Sequence, residues 1–208
     1  MEFVWVVRRR DLFPDCSPQG FRIADGEELE ARILRPFEER GFFVERREAE
    51  RNPSWKQLIP YCLVASGDRL LCLERLKAQS ESRLHGLLSI GVGGHVDPVD
   101  LEGPEPAWRR AAEREIREEL HCSGEIGFEP LGFLNDDGSP VGAVHLGLVL
   151  GLRWPDPDPP EIRERSKMRG RLQGLAELRK MCEASAAFES WSAAILAQRG
   201  WEARFLNT

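Results

Sequence analysis

A run of six residues, Arg114-Glu115-Ile116-Arg117-Glu118-Glu119, constrains this chain more than any other feature, because it places three carboxylates within five residues. The surrounding pattern predicts one amphipathic helix. At about 3.6 residues per turn, Glu115 and Glu119 share the side that carries Trp108, which we expect to face the protein, and Glu118 lies at its edge. The opposite side, expected to be solvated, carries Arg110, Glu113, Arg114 and Arg117.

Carboxylates that are crowded and partly withdrawn from water either become neutral through raised pKa values or stay ionised beside a cation or basic partners. Ligand sets made only of oxygen favour magnesium, manganese or calcium, and magnesium also engages the phosphates of a substrate. The acidic cluster therefore suggests phosphate chemistry. The alternative is a solvent-facing acidic helix with ion pairs four residues apart, such as Arg114 with Glu118.

A glycine-rich stretch upstream of the helix weakens that alternative. The sequence Ser89-Ile90-Gly91-Val92-Gly93-Gly94-His95-Val96 is typical of a strand whose glycines let the backbone approach a ligand closely. Glycine-rich strand, loop and acidic helix, in this order, resemble the signature of the Nudix hydrolases, which cleave nucleoside diphosphates linked to another group. In that signature a glycine and a glutamate precede R-E-U-x-E-E-x-G-U, where U is a bulky aliphatic residue, and residues 114–119 match its second half well.

The chain departs from the signature at two places. A longer loop, Asp97 to Pro104, follows Gly94, and the expected glutamate finds only Glu105, one residue out of register, which an insertion in the loop explains. The glycine that normally ends the helix in a left-handed conformation is His121, followed by Cys122. Histidine tolerates that conformation better than most residues and Gly124 offers a later stop, so we expect a shifted helix end.

The resemblance implies a fold and a division of the chain. The expected fold class is α/β: a Nudix-type α/β/α sandwich with a mixed β-sheet, plus an N-terminal α/β extension. Residues 57–208 would form the Nudix domain. Residues 1–56 would form an accessory segment packed on it, which could add to the sheet, cover the active site or build a homodimer contact.

The resemblance also implies a divalent-metal-dependent hydrolase that cleaves a diphosphate linkage in a small phosphorylated, nucleotide-derived substrate. Glu115, Glu118 and Glu119 would hold Mg²⁺ or Mn²⁺, and one of them would take a proton from water. The Gly93 or Gly94 carbonyl could add a ligand, and Arg114 would support the helix by pairing with Glu118. Beyond the signature, Glu161 or Glu164 could complete the metal site, whereas Asp136 and Asp137 would serve a turn. Candidates for phosphate contacts are Arg75, Lys77, Arg83 and His85.

Two rival functions remain open at this point. One is a catalytically weak Nudix-like module that binds or senses a nucleotide without cleaving it, which the altered loop and His121 motivate. The other is isomerisation of a diphosphate substrate, as in the related isopentenyl diphosphate isomerases, but no cysteine and glutamate pair is convincingly placed for it.

Composition narrows the class of protein further. A net charge of −6 argues against binding a nucleic-acid polymer, which relies on clustered Lys and Arg. Five scattered cysteines without a CxxC pair argue against a disulfide framework and suggest a cytoplasmic protein. No stretch approaches the roughly 20 apolar residues that span a bilayer.

Periodicity and turn residues predict the other elements. In the N-terminal part they are a strand from Phe3 to Arg9, a helix from Glu27 to Glu39 and a strand from Gly41 to Glu45. A hairpin is expected around Ser66-Gly67-Asp68, and a second around Asn135-Asp136-Asp137-Gly138. Closing helices are expected at Leu175 to Met181 and Phe188 to Gln198.

Overall fold

The computed structural model describes residues 1–75, 87–163, 168–185 and 187–206. The predicted fold class is confirmed, since strands and helices build an α/β fold with a large mixed sheet. The strands are β1 (Phe3–Arg8), β2 (Gly20–Ile23), β3 (Phe42–Glu45), β4 (Trp55–Ser66), β5 (Arg69–Arg75), β6 (Leu88–Ser89), β7 (Gly91–Gly93), β8 (Leu120–His121), β9 (Glu129–Asn135), β10 (His145–Arg153), β11 (Glu161–Ile162) and β12 (Met168–Gly174). The helices are α1 (Arg9–Leu12), α2 (Gly26–Leu29), α3 (Arg35–Arg40), α4 (Arg46–Ala49), α5 (Ala107–Glu119), α6 (Leu175–Ala184), α7 (Ser190–Ala197) and α8 (Glu202–Phe205).

The chain divides into two compact units, the first of which comprises Met1–Tyr61, Gly93–Ala112 and Pro130–Leu150. In this unit β1 pairs antiparallel with β3 and with the first part of β4, and β2 pairs antiparallel with β9. The N-terminal segment therefore adds strands to a sheet, one of its three expected roles. Its status as a separate accessory segment ending at residue 56 stays a prediction.

The predicted N-terminal helix is confirmed, with one irregularity. Helix α2, a π-helical stretch (Glu30–Leu34) and α3 follow one another without a break. Asp25 caps the start, because its Oδ1 accepts a hydrogen bond from the Glu28 amide at 2.8 Å. Pro36 lies two residues beyond the end of the π-helical stretch. It lacks an amide proton and its ring crowds the preceding turn, which accounts for the wider winding. The apolar face is fully buried at Leu29, Ile33 and Phe37.

Strand β2 was not predicted from the sequence. It has four residues, follows a loop rich in proline and polar residues, and buries only Phe21. Four residues with one buried side chain give too little alternation to be recognised. Pairing with β9, in which Phe21 lies opposite Leu134, is what makes the segment a strand.

The second unit comprises Cys62–Val92, Glu113–Glu129 and Gly151–Thr208. The predicted hairpin is confirmed: the end of β4 pairs with β5 through Ala65 opposite Leu70, and Gly67 has a positive φ of 63° in the turn. Strand β12 pairs with β5 over seven residues, and β8 pairs with β11. The two predicted closing helices of this unit are α6 and α7. The second predicted hairpin is formed by β9 and β10 and belongs mainly to the first unit.

A buried arginine ties the C-terminal helices of the second unit together. Arg179 on α6 is 9% exposed and donates hydrogen bonds to the carbonyls of Leu196 (3.0 Å) and Gln198 (2.9 Å) and to Glu202 Oε1 (3.0 Å). The C-terminal carbonyls of α7 thus receive a cationic cap. Within the described residues, no helix has both the length and the apolar character needed to cross a membrane.

Candidate active site

Helix α5 forms where the acidic run predicts it. Its small and apolar positions Ala111, Ala112 and Ile116 are fully buried, which fixes the inward face. The side chain of Glu115 is 17% exposed, whereas that of Glu118 is 60% exposed. The predicted arrangement, with Glu115 turned inward and Glu118 at the edge, matches these exposures.

Arg114 corrects one sequence-based prediction. We expected it on the solvated side, but only 24% of its side chain is exposed. The guanidinium folds back along the helix, so that Nη1 donates to Glu115 Oε1 at 2.7 Å. Its pair with Glu118 is present but longer, at 3.6 Å. Arg114 therefore pairs with two of the three glutamates. Its side chain is partly buried because it lies closer to Glu115, the glutamate that faces inward.

A buried thiol reports on the surroundings of the inward carboxylates. Cys62 on β4 is 1% exposed. Burial raises the pKa of the Cys62 thiol strongly, and the negative charges of Glu115 and Glu119 raise this pKa further. Two glutamates on successive turns thus act on one buried group. A thiol that stays protonated and enclosed offers no nucleophile, so Cys62 does not supply reactive thiolate chemistry.

The end of α5 differs from the prediction. We expected His121 in a left-handed conformation or a later stop at Gly124, but no non-glycine residue in the described ranges has a positive φ. Instead the helix stops at Glu119, and Leu120–His121 becomes strand β8, with His121 opposite Glu161. Strand pairing replaces the glycine turn.

Two arginines that sequence reasoning had not assigned to this role hold the helix end. Arg117 donates to the carbonyls of Cys122 at 2.9 Å and Gly124 at 3.2 Å. The backbone amide of Arg163 donates to the Glu119 carbonyl at 2.9 Å, and its Nε to the Leu120 carbonyl at 3.2 Å. A basic residue in the last turn of a helix indicates that the helix end is near, and Arg117 is such a residue. Arg163, distant in sequence, gives no such signal.

The glycine-rich segment ends in a close backbone contact. A Cβ atom at Gly93 would lie 2.6 Å from the carbonyl oxygen of Pro60 on β4, so only glycine lets the two backbones approach this closely. Gly94 follows directly and is half-buried. Packing against β4 thus requires glycine at position 93, independently of any role of the Gly93 carbonyl as a metal ligand.

The loop after Gly94 contains a short element of regular structure. Residues Pro98–Leu101 form a 3₁₀ turn, and the buried Asp100 accepts a hydrogen bond from the Asp97 amide at 2.8 Å. Glu105 pairs with Arg109 at 3.5 Å and its side chain is 59% exposed. Glu105, which is one residue out of register with the first glutamate of the signature, is therefore exposed and forms an ion pair with Arg109.

Several other predicted site residues can be located only in part. Lys77, Arg83, His85 and Glu164 lie outside the described residues. The backbone of Arg75 ends β5 opposite Met168. Glu161 begins β11. The phosphate-contact roles of Arg75, Lys77, Arg83 and His85 stay predictions.

The turn between β9 and β10 contains a charge cluster that the sequence analysis missed. Asp136 serves the turn as predicted, since its Oδ1 accepts a hydrogen bond from the Gly138 amide at 3.1 Å. Asp137 does more, because it accepts from Lys56 Nζ at 2.8 Å and also pairs with Arg9. Burial alone would raise the pKa of Asp137, but the hydrogen bond and charge of Lys56 hold it well below its usual range. The available signal was a lysine close to the start of a largely apolar strand.

The donor chemistry of α5 fits a hard divalent cation. The candidate ligands are carboxylate oxygens on adjacent turns of one helix. Magnesium and manganese prefer oxygen ligands of this kind. Across residues 1–75, 87–163, 168–185 and 187–206, no group of three or more His, Cys, Asp or Glu side chains is gathered so that it could hold a metal ion.

The α/β fold and the acidic helix that follows a glycine-rich strand define a class of protein, and the comparisons identify it. The chain is 31% identical to Tm1382, a proposed Nudix hydrolase, with a TM-score of 0.74 over 94% of this chain and 97% of that one. It therefore belongs to the Nudix superfamily. It is also 30% identical over 194 residues to Protein YmaB of Bacillus subtilis (strain 168), covering 92% of this chain and 94% of YmaB.

More distant structures share the fold alone. DR0079 from Deinococcus radiodurans is 19% identical, with a TM-score of 0.54 over 78% of this chain and 93% of its own. A NUDIX hydrolase from Alicyclobacillus acidocaldarius is 13% identical, with a TM-score of 0.55 over 68% of this chain and 89% of its own. No family model matches the chain.

Proposed function

We propose that this protein is a divalent-metal-dependent pyrophosphohydrolase that cleaves a diphosphate linkage in a small nucleotide-derived or related phosphorylated substrate. The observation that carries the proposal is the inward position of Glu115 and Glu119 on α5, in a chain of the Nudix superfamily. Carboxylates that are partly withdrawn from water are stabilised by nearby positive charge, which Arg114 supplies to Glu115 and which a divalent cation would supply to the whole group.

In this proposal Glu115, Glu118 and Glu119 hold Mg²⁺ or Mn²⁺, with the Gly93 or Gly94 carbonyl as a further oxygen ligand. A bound divalent ion supplies positive charge to the diphosphate oxygens and lowers the pKa of an attacking water. One of the three glutamates accepts the proton of that water. Arg114 keeps Glu115 and Glu118 in position through its ion pairs and does not itself contact the substrate.

We also propose which residues contact the substrate, where the protein is located and how it associates. Arg75, Lys77, Arg83 and His85 would contact phosphate groups, since cations beside a diphosphate neutralise its charge. His85→Ala is the first variant to make, and an unchanged KM would remove His85 from this set. A cytoplasmic location and a homodimer contact through residues 1–56 are part of the same proposal.

The test is product release from a panel of dinucleoside polyphosphates, nucleotide sugars, NADH, ADP-ribose and nucleoside triphosphates. Each is incubated with magnesium, with manganese and with a chelator. Metal-dependent cleavage of a panel member is the expected outcome and gives the substrate class. Cleavage that persists in chelator would contradict the metal requirement.

One observation favours a second candidate, a nucleotide-binding module without catalysis. Arg114 already pairs with two of the three glutamates, which provides positive charge without a metal ion. In this alternative the protein binds a panel member, measured by calorimetry, and forms no product under magnesium or manganese. The two candidates differ in product formation alone.

A further inference from the structure

Two buried hydroxyl groups contact the backbone of the glycine-rich segment. Ser89 belongs to β6 and Ser192 to α7, and they are 2% and 0% exposed. Ser192 Oγ accepts a hydrogen bond from the Ile90 amide at 2.9 Å. Ser89 Oγ accepts one from the Gly91 amide at 3.2 Å. Two consecutive amides, that of Ile90 just before β7 and that of Gly91 at its start, are thus bonded to side-chain oxygens.

Glu189 orients both hydroxyls. Its Oε1 accepts from Ser89 Oγ at 2.7 Å and from Ser192 Oγ at 3.1 Å. A hydroxyl has one proton, so a serine that donates to the carboxylate presents its lone pairs to the backbone amides. Ser89 Oγ also lies 2.9 Å from the Gly91 carbonyl, but the shorter bond to a charged acceptor is the stronger.

Backbone bonds hold the same segment. The Leu88 amide donates to the Ala187 carbonyl at 2.7 Å, and the Glu189 amide donates to the Leu88 carbonyl at 3.0 Å. Leu88 and Phe188 form a parallel bridge. Helix α7, which carries Ser192, is itself held in place, because Arg179 donates hydrogen bonds to the carbonyls at its C-terminal end.

We propose that Ser89, Glu189 and Ser192 form a clamp that positions the glycine-rich strand, and with it the Gly93 and Gly94 carbonyls, for the reaction. The inference rests on the proposed function. Strand β7 runs from Gly91 to Gly93, so a shift at Gly91 passes directly to the carbonyls that would ligate the metal. A misplacement of about 1 Å can cost roughly 100-fold in rate. The three side chains are positioning residues that act through the backbone.

Glutamine at position 189 separates this role from a direct chemical one. A glutamine oxygen can still accept both hydroxyl protons, so it keeps the clamp and removes only the charge. Alanine removes the acceptor. A glutamate that bound the metal or took a proton in the reaction would fail in both variants.

The experiment compares Ser192→Ala, Glu189→Ala and Glu189→Gln with the wild type, and uses Ser190→Ala as the control. Ser190 is on the same helix and its side chain is exposed. Amide hydrogen exchange at Ile90 and Gly91 is measured by NMR, and kcat and KM are measured for manganese-dependent cleavage of the best panel substrate. Far-UV circular dichroism checks that each variant folds.

In the two loss variants, we expect exchange at Ile90 or Gly91 to rise about tenfold, the effect of one lost hydrogen bond. We expect kcat to fall by about tenfold or more, with KM unchanged, because positioning acts on the transition state. Glu189→Gln and Ser190→Ala should resemble the wild type in both measurements. If Ser192→Ala does not fold, Glu189→Ala and Glu189→Gln alone decide the question.

Three results would overturn the clamp: unchanged exchange in the loss variants, faster exchange with unchanged kcat, or a Glu189→Gln variant as impaired as Glu189→Ala. Failure of the proposed function looks different. In that case the wild type cleaves no panel member, which also removes any positioning role, while the exchange rates still show whether the hydrogen bonds exist.

Discussion

The two charge clusters of this protein differ in how their charges are balanced. In the first compact unit, Lys56 is fully buried and donates to Asp137 Oδ1 (2.8 Å), the Gly142 carbonyl (2.9 Å) and the His145 carbonyl (3.2 Å). An ammonium group has three protons, and all three are used. Asp137 in turn accepts from Arg9 and Asn135 as well.

In the second unit, residues Glu113 to Glu119 contain four glutamates and two arginines, so the segment carries an excess of negative charge. Arg117 is shared between Glu113 and backbone carbonyls, and Arg114 between Glu115 and Glu118. Lys56 and its partners form a balanced cluster, whose buried hydrogen bonds and ion pairs stabilise the fold. The acidic run of α5 is an unbalanced cluster in the sense that its glutamates outnumber its arginines, and we propose that it serves the reaction.

The largest expected effect is on the balanced cluster. Asp137→Ala leaves the buried Lys56 ammonium without its carboxylate, so we expect the free energy of unfolding to fall by about 3 to 5 kcal/mol. Urea unfolding measures it. Asp136→Ala, at the neighbouring turn position, should cost about 1 kcal/mol or less. Equal losses in the two variants would show that the turn, and not the buried pair, is what Asp137 stabilises.

The next effect tests the unbalanced cluster. Glu119→Gln should lower metal-dependent turnover by about 100-fold or more, because it removes a charge that acts on the transition state. The unfolding midpoint should stay the same or rise, since one of several like charges is removed. Glu118→Gln should behave in the same way. Unchanged turnover in both variants would place the acidic cluster, too, on the structural side of the comparison.

Gly93→Ala separates geometry from charge at the candidate site. The added Cβ would meet the Pro60 carbonyl at 2.6 Å, so we expect a loss of about 1 to 3 kcal/mol in thermal unfolding, with lower turnover. Gly127→Ala is the control, because a Cβ there has no neighbour within 4 Å. A stable Gly93→Ala variant with normal turnover would show that this strand can shift without consequence.

Acid should weaken the balanced cluster. The pKa of Asp137 is lower in the folded protein than its unfolded value of about 3.9, so below that pH the unfolded chain binds more protons and acid favours unfolding. The stability is fully present above about pH 5, and this group can remove about 1 kcal/mol between pH 4 and pH 3. Urea midpoints at several pH values measure the slope. The Asp137→Asn variant should have a smaller slope, and an unchanged slope would assign the acid sensitivity to other carboxylates.

Local patterns allowed the sequence to predict much of the fold and one part of the site. The apolar periodicity of residues 27–39, the glycine turn at Gly67 and the acidic run of α5 each encode an element within a short stretch. Strand β2 and the Lys56–Asp137 pair depend on partners more than 80 residues away, and nothing near them in sequence indicates those partners.

The end of α5 shows a different reason for failure. His121 occupies the position of a helix-ending glycine, so the local backbone alone predicts that it replaces that glycine. The structure ends the helix by pairing β8 with β11 and by hydrogen bonds from Arg163 to the Glu119 and Leu120 carbonyls. A tertiary contact thus replaced a local signal. The same limit applies to Ser192 and Glu189, which lie about 100 residues from Ser89.

The smallest expected effect is the sharpest test of the comparison, because it concerns the same residue type on the same helix. Glu113 pairs with Arg117 at 2.8 Å across one turn, and both side chains are more than a third exposed. Removing its charge in Glu113→Gln should cost only a few tenths of a kcal/mol and leave turnover unchanged. Side-by-side unfolding and turnover measurements with Glu119→Gln then compare an outward and an inward glutamate. If Glu113→Gln lost as much turnover as Glu119→Gln, the total charge of the helix would matter and the inward position would not, and the assignment of function to Glu115 and Glu119 would fail.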